Sequence, residues 1–445
     1  MLPAIPVLRA QLLGVVSSKQ RQGHVVDGLA EAIRSCPASY DALWAFAVRM
    51  RDLPLRPDWS WVEPDELEEI LAECAPQRRQ GPLSPVDPLA IAPRVETAFL
   101  ASVCGCILGK PLEVSTDLAH IRAAAEAVGE WPLRDYIPER LLTALGMRHG
   151  DASYTTRETI RVAGADDDLN YSITGMLLLE RHGKDFTTED LARFWSHNLA
   201  AQWQWGPERQ INLRYGQHSL VWSKEPLPWR EWVAVCNPDD EACGAMIRVD
   251  AYGYACPGDP GRAAALAWRD AAYTHRRTGI YGAMFAAAAI AAAFTARDWR
   301  EIFTIANHYV PRRSRFHDVV EQSIALVAGA RDWLEGYALV HERFAEHGHC
   351  RIYQEVGTMI NTLRFARDIG EGLGMQVAQG NDTDSYGCTC GSLLGAFHGP
   401  GGLEPRWLAP FNDTIHTTLA GFHEQRLSAV AKRMGALPAL LVPPA

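Results

Sequence analysis

Three short segments of the chain gather carboxylates in settings where carboxylates are costly. The first is Gly380-Asn381-Asp382-Thr383-Asp384-Ser385. Its Asp-x-Asp-Ser order offers two carboxylates on one side of an extended turn and a hydroxyl one residue later. These hard oxygen donors suit Mg²⁺ or Mn²⁺ rather than zinc. The residues that follow, Cys388 to Phe397, are too small and apolar for a surface helix, so these acids lead into a core. The second is Asp166-Asp167-Asp168, which opens an apolar helical stretch reaching Glu180. One aspartate is enough to cap a helix N-terminus. Three in a row repel one another, and a cation among them makes them tolerable. Read alone, they are either a solvated capping cluster or a cation site. The third is Gly105-Cys-Ile-Leu-Gly109-Lys-Pro-Leu-Glu113, where a small-residue helix ends, Pro111 blocks its continuation and Glu113 projects just beyond. Glycines there admit a second backbone. Taken alone, Glu113 reads first as a solvated glutamate after a helix.

The elements that must position these acids are helical. Asp65 to Ala72, Arg94 to Leu108, Leu118 to Val128, Asn170 to His182 and Gly261 to Tyr273 carry apolar residues at three- and four-residue spacing. Runs with the alternation of a half-buried strand are few. The expected fold class is all-α. Residues 76–93 are rich in proline and polar groups and read as a linker. This divides the chain into an N-terminal helical extension with its linker, 1–90, and one large helical domain, 91–445.

The chain has 445 residues, 47% apolar and 22% charged, enough to bury a sizeable core. Acidic residues outnumber basic ones 53 to 43, for a net charge of −10, which argues against nucleic acid or anionic lipid as a partner. The longest apolar run, Ile280 to Phe294, is shorter than the roughly 20 residues a bilayer requires, and its alanines suit a buried helix. The N-terminus lacks signal-peptide character, and the ten scattered cysteines read as reduced. The expected compartment is the cytoplasm, with no membrane association.

Together the three acidic segments resemble the ADP-ribosylglycohydrolase family, the group that contains dinitrogenase-reductase-activating glycohydrolase and the ADP-ribosylhydrolases. The resemblance runs from about Val95 to about Gly402. The family's Gly-Asp-x-x-Gly-x-x-x-Glu is matched by Gly105 to Glu113, its Thr-Asp-Asp-Thr by Asp166 to Leu169, and its Gly-x-Asp-Thr-Asp-Thr/Ser by Gly380 to Ser385. This likeness implies a compact all-α fold holding two divalent cations, Mg²⁺ or Mn²⁺. The implied ligands are Glu113, Asp166, Asp167 and Asp168 on one side, with Asp382, Asp384 and Ser385 on the other. It also implies a substrate-lining segment from Gly244 through Met246 and Arg248 to Gly253, and a Thr274-His275 pair one helix later. Gly244, Met246, Arg248 and His275 are therefore the expected substrate-binding residues. Three positions depart from the family: Asp166 replaces a hydroxyl residue, Leu169 a threonine and Cys106 an aspartate. The flanking pattern looks like a bacterial branch of the family.

The implied reaction is hydrolysis of a glycosidic bond in an ADP-ribosylated protein or small molecule. Cations orient the ribose hydroxyls and lower the pKa of bound water, while aspartates stabilise an oxocarbenium-like state and one accepts the proton. Asp167 and Asp168 are the candidate bases. Arg248 is either a phosphate partner or a structural ion pair. Two alternatives stay open: an N-glycoside hydrolase for a nucleoside- or nucleotide-like metabolite, and a non-catalytic ADP-ribose-binding protein. His347-Gly-His349-Cys350 has metal-type residues without partners at zinc spacing.

Overall fold

A computed structural model describes residues 3–113, 117–147, 150, 152–219 and 226–441. Helices dominate it, and among the described residues the sheet consists of two three-residue strands, Thr414–His416 paired antiparallel with Glu424–Arg426. The all-α expectation is met.

Helix Thr278–Ala293 is buried at all 16 positions, as its nearly continuous alanine and apolar sequence demands. Helix Pro260–Ala271 packs along it. The tightest pairing in the fold joins helix Ala92–Gly109 to helix Thr383–His398, and glycine spacing explains it. Gly387, Gly391 and Gly395 recur every fourth residue on one helix and so line one face of it. A methyl group on Gly387 would lie 2.5 Å from the Gly105 carbonyl oxygen, and one on Gly395 would lie 2.5 Å from the Ala98 Cα. On the facing helix, a methyl group on Gly109 would lie 2.5 Å from the Asp384 amide nitrogen. The two backbones therefore touch, with no side chains between them. Thr383 Oγ1 donates to the Gly109 carbonyl at 2.8 Å, which fixes the register at the end of the seam.

Among the described residues one stretch, Ala92–Leu112, is long and apolar enough to cross a membrane by length and composition, and 89% of its most apolar 18-residue window is buried inside the fold. It is the core helix of this seam rather than the alanine-rich run that stands out in the sequence.

The first helices, Ile5–Arg21, Leu29–Ser35 and Tyr40–Arg51, share an apolar cluster that includes Leu8, Leu12, Leu43 and Met50, and Val235 and Cys236 complete it. Polar contacts tie the extension down. Gln22 Nε2 donates to Asp240 Oδ1 at 2.7 Å, and Arg315 bridges Glu63 and Glu241. Residues 76–91 carry no helix, and Tyr309 OH pins this stretch by donating to the Arg79 carbonyl at 2.8 Å.

Candidate acidic site

Three helix ends meet at one end of the glycine seam. Helix Ala92–Gly109 terminates there and passes into the short turn Lys110–Leu112. Helices Asp167–His182 and Thr383–His398 begin there, with Asp166 and Asp382 at their N-cap positions. Asp166 caps through its side chain, whose Oδ1 accepts from the Asp168 amide at 2.9 Å. The two helix N-termini turn partial positive charge toward the carboxylates. The three acidic segments, distant in sequence, are thus brought to a single place.

The acids are buried. Asp166, Asp168, Asp382 and Asp384 are each at most 4% exposed, Ser385 is buried, and Asp167 and Glu113 remain partly accessible. Asp168 is the extreme case: at 0% exposure, neither carboxylate oxygen has a hydrogen-bond partner among the described residues. An ionised carboxylate so placed is strongly unfavourable unless a cation or a proton neutralises it. Burial and the adjacent Asp166 push Asp167 and Asp168 well above the usual carboxylate range. Burial and Asp384 do the same to Asp382, and they push Glu113 up to about 8. Asp384 is the exception. Burial opposes its ionisation, but the ammonium of Lys110 beside it holds its carboxyl below the ordinary value.

Lys110 is the residue that sequence reasoning passed over. Its Nζ lies 2.9 Å from Glu113 Oε2, 2.8 Å from Asp166 Oδ2 and 2.8 Å from Asp384 Oδ2, one oxygen from each acidic segment. The available signal was its place inside the first motif, between a glycine that the seam requires and a proline that ends the helix.

Glu113, Asp382 and Asp384 can bring one oxygen each within 4.8 Å of one another, and Cys106, Asp166 and Asp168 form a second such group. The unpartnered oxygens of Asp168 and the hard carboxylate donors fit a divalent cation. Cys106, where the family has aspartate, adds a softer atom. A third group lies alongside, where the thiols of Cys243 and Cys350 each sit 3.4 Å from Asp382 Oδ2. Cys350 therefore does meet partners, supplied by a distant segment that spacing within His347–Cys350 could not reveal.

The expected substrate-lining residues lie deeper than a lining requires. The Arg248 side chain is 0% exposed and forms ion pairs with Glu208 and Asp270, with a further hydrogen bond to Thr274 Oγ1 at 2.8 Å. The phosphate role expected for it has no exposed nitrogen to serve it, and the structural ion pair is the arrangement observed. A methyl group on Gly244 would lie 2.9 Å from Glu208 Cδ, so Gly244 makes room for that same carboxylate. His275 is fully buried, with Nδ1 2.8 Å from Thr274 Oγ1. Burial and the charge on Arg248 keep its imidazole neutral, well below its ordinary pKa. Met246 is buried 4.0 Å from the Tyr386 hydroxyl. Glu208, which the sequence did not single out, faces three of these four residues: Gly244, Arg248 and His275. A cavity of about 350 Å³ between Trp131, Trp333, Arg134 and Arg406 contains none of these acids.

The fold and site together define a class: an all-helical protein whose buried carboxylates, drawn from three distant segments, converge where helices begin and end. Residues 87–437 match the family model described as ADP-ribosylglycohydrolase, and the chain belongs to that family. A solved structure described as an ADP-ribosylglycohydrolase-related protein complex shares the fold. Its TM-score is 0.52 at 17% identity, over 79% of this chain and 99% of that one. None of the curated proteins compared matches the chain. Family membership supports a glycosidase-like hydrolase, and the acidic groups are candidate metal-binding clusters.

Proposed function

We propose that the protein is a cation-assisted glycohydrolase that releases ADP-ribose from a modified protein or small molecule. The observation that carries this reading is Asp168: a fully buried carboxylate with two unpartnered oxygens, set among Asp166, Asp167 and Asp382 in a chain of the ADP-ribosylglycohydrolase family. Asp168 with Asp166 in one group, and Asp382 with Glu113 and Asp384 in the other, would hold divalent cation, with Ser385 next to Asp384 in the chain, and Mg²⁺ or Mn²⁺ matches these carboxylate donors. When bound, such a cation supplies positive charge that orients a ribose diol.

The remaining work belongs to the side chains. Among Asp166, Asp167 and Asp168, only Asp167 keeps solvent access, so it is the one positioned to accept a proton from an attacking water. The surrounding carboxylates stabilise the positive charge that develops on the sugar as the glycosidic bond breaks. Burial excludes bulk water from Asp166, Asp168 and Asp384, so their charges act at low dielectric. Arg248, paired with Glu208, also lies 6.0 Å from the centroid of the Tyr171 ring on helix Asp167–His182.

The test is turnover by Mn²⁺- or Mg²⁺-loaded protein of an ADP-ribosylated protein, with free ADP-ribose measured by chromatography and nucleosides run in parallel. Release of ADP-ribose, lost by roughly 10²- to 10⁴-fold in Asp167→Asn with cation binding retained, supports the reading. Nucleoside turnover without ADP-ribose release would replace it with the nucleoside-hydrolase alternative. Binding of ADP-ribose without any turnover would make the protein a binder.

A further inference from the structure

The cation that the structure itself places among the acids is an ammonium. Lys110 is rooted in the Lys110–Leu112 turn, its side chain is 10% exposed, and its Nζ reaches Glu113, Asp166 and Asp384 at 2.8–2.9 Å. An ammonium has three N–H donors and no acceptor, and among the described residues three carboxylate oxygens of the acidic motifs lie within 2.9 Å of it, one from each segment. A divalent cation at this point would have to take the same oxygens. We infer that the Lys110 ammonium permanently occupies one of the two cation positions in this site, so that the protein takes one divalent cation per chain and not two.

The inference rests on the reading of the site as cation-assisted, and it changes what the site is. An ammonium is a strongly hydrated point charge on a flexible stem. It neutralises carboxylates and holds them together, but it has no open coordination position for a sugar hydroxyl. Glu113, Asp166 and Asp384 then serve mainly to seat the lysine, and the acids left for a metal are those it does not touch at these distances, above all Asp168 and Asp382. The position of Lys110 also suits this role physically. Gly109 lets the neighbouring helix close to backbone contact, Pro111 forces the chain out of the helix, and the residue between them extends its side chain among the acids.

The arrangement has a further consequence for the apoprotein. A site holding two exchangeable cations becomes a cluster of unneutralised buried acids when both are removed. A site with one tethered cation keeps three of its acids paired.

The test is equilibrium dialysis of the full chain against saturating Mn²⁺, with bound metal counted per chain for native protein and for Lys110→Met. The expected result is one Mn²⁺ per native chain and two per Lys110→Met chain. Thermal unfolding is followed in parallel. The variant should melt below native protein in EDTA, and Mn²⁺ should raise its midpoint by more than it raises that of the native chain. Two Mn²⁺ per native chain would overturn the inference and leave the cation-assisted function standing, because the lysine would then yield its place. An equal count of one in both proteins would also overturn it. No bound Mn²⁺ in either would remove the cation-assisted reading together with the inference. Should Lys110→Met not fold even with Mn²⁺, electron paramagnetic resonance of the Mn²⁺-loaded native chain decides. An isolated-ion spectrum supports the tethered ammonium, and the spectrum of an exchange-coupled pair refutes it.

Discussion

Replacing Gly391 by alanine probes how the acidic site is built without touching an acid. Gly391 lies in the middle of helix Thr383–His398, facing helix Ala92–Gly109. An added methyl group would sit 2.7 Å from the Ala101 carbonyl carbon and 2.8 Å from the Ser102 Cα. Carbon atoms rest about 3.5–4.0 Å apart, so the two helices must separate by about 1 Å. The obstructing atoms are backbone and cannot rotate away. Overpacking of this kind costs about 3 kcal/mol at the upper end of its usual range, and the better helix propensity of alanine returns about 1 kcal/mol. The expected net loss is about 2 kcal/mol, measured by urea denaturation. Mn²⁺ affinity should fall as well, because the widened seam draws Asp382 and Asp384, at the head of that helix, away from the other two acidic segments. Gly329→Ala is the control. Gly329 ends helix Arg315–Gly329, is exposed, and has nothing within 4 Å of the added methyl among the described residues. It should be neutral or stabilising by up to about 1 kcal/mol. If Gly391→Ala matches Gly329→Ala in sign and leaves Mn²⁺ binding unchanged, the seam does not set the site's geometry.

Arg248→Met should destabilise the protein by about 3–5 kcal/mol, because it strands the buried carboxylates of Glu208 and Asp270. Denaturation midpoints check this, and a variant of native stability with raised KM would restore the phosphate role. Asp250 is fully buried, and burial raises its carboxyl to about 7, partly offset by a hydrogen bond from Ser392. Its folded pKa lies above the unfolded one, so the folded state binds the extra proton. Its contribution to stability is fully present below about pH 4 and is lost as pH rises through 7, by on the order of 4 kcal/mol once the group is fully ionised. Asp250→Asn should flatten that fall in denaturation curves taken from pH 5 to 8, and parallel curves for the two proteins would show that Asp250 does not titrate there. Removal of divalent cation by EDTA should lower the melting temperature, and Mn²⁺ at about 100 times its Kd should restore about 2.7 kcal/mol. An unchanged midpoint on chelation and titration counts against any cation site.

Much of this molecule was legible because local pattern and final burial agree. The apolar spacing from Asn170 to His182 belongs to a helix, and the small residues after Ser385 belong to a core. The acids of the first and third motifs converge because the glycines flanking them bring two helices to contact, and those glycines were visible in the sequence. What could not be read was long-range pairing. Nothing within five residues of Lys110 says that its ammonium reaches Asp166 and Asp384. Nothing around Arg248 says that Glu208, forty residues earlier, claims its guanidinium and withdraws it from solvent. Cys350 looked isolated for the same reason, since its partners Cys243 and Asp382 come from other segments. Residue types report what chemistry is available, whereas the fold alone decides which groups spend it on one another.

The glycine seam also has a meaning for the order in which the protein comes into being. It joins a helix that ends at residue 109 to one that begins at residue 383, so the acids on either side of it meet only across some 270 residues of intervening chain. Contacts of such long sequence separation form late, after the cost of closing the loop has been met by other packing. During synthesis from the N-terminus, Glu113 and Asp166–Asp168 emerge long before the segment that completes their site. A nascent chain therefore lacks the Asp382 and Asp384 side of the site until helix Thr383–His398 has left the ribosome and docked. The complete acidic site thus reports that translation has passed residue 385: a polypeptide interrupted between residues 168 and 380 carries two of the three acidic segments and lacks the third.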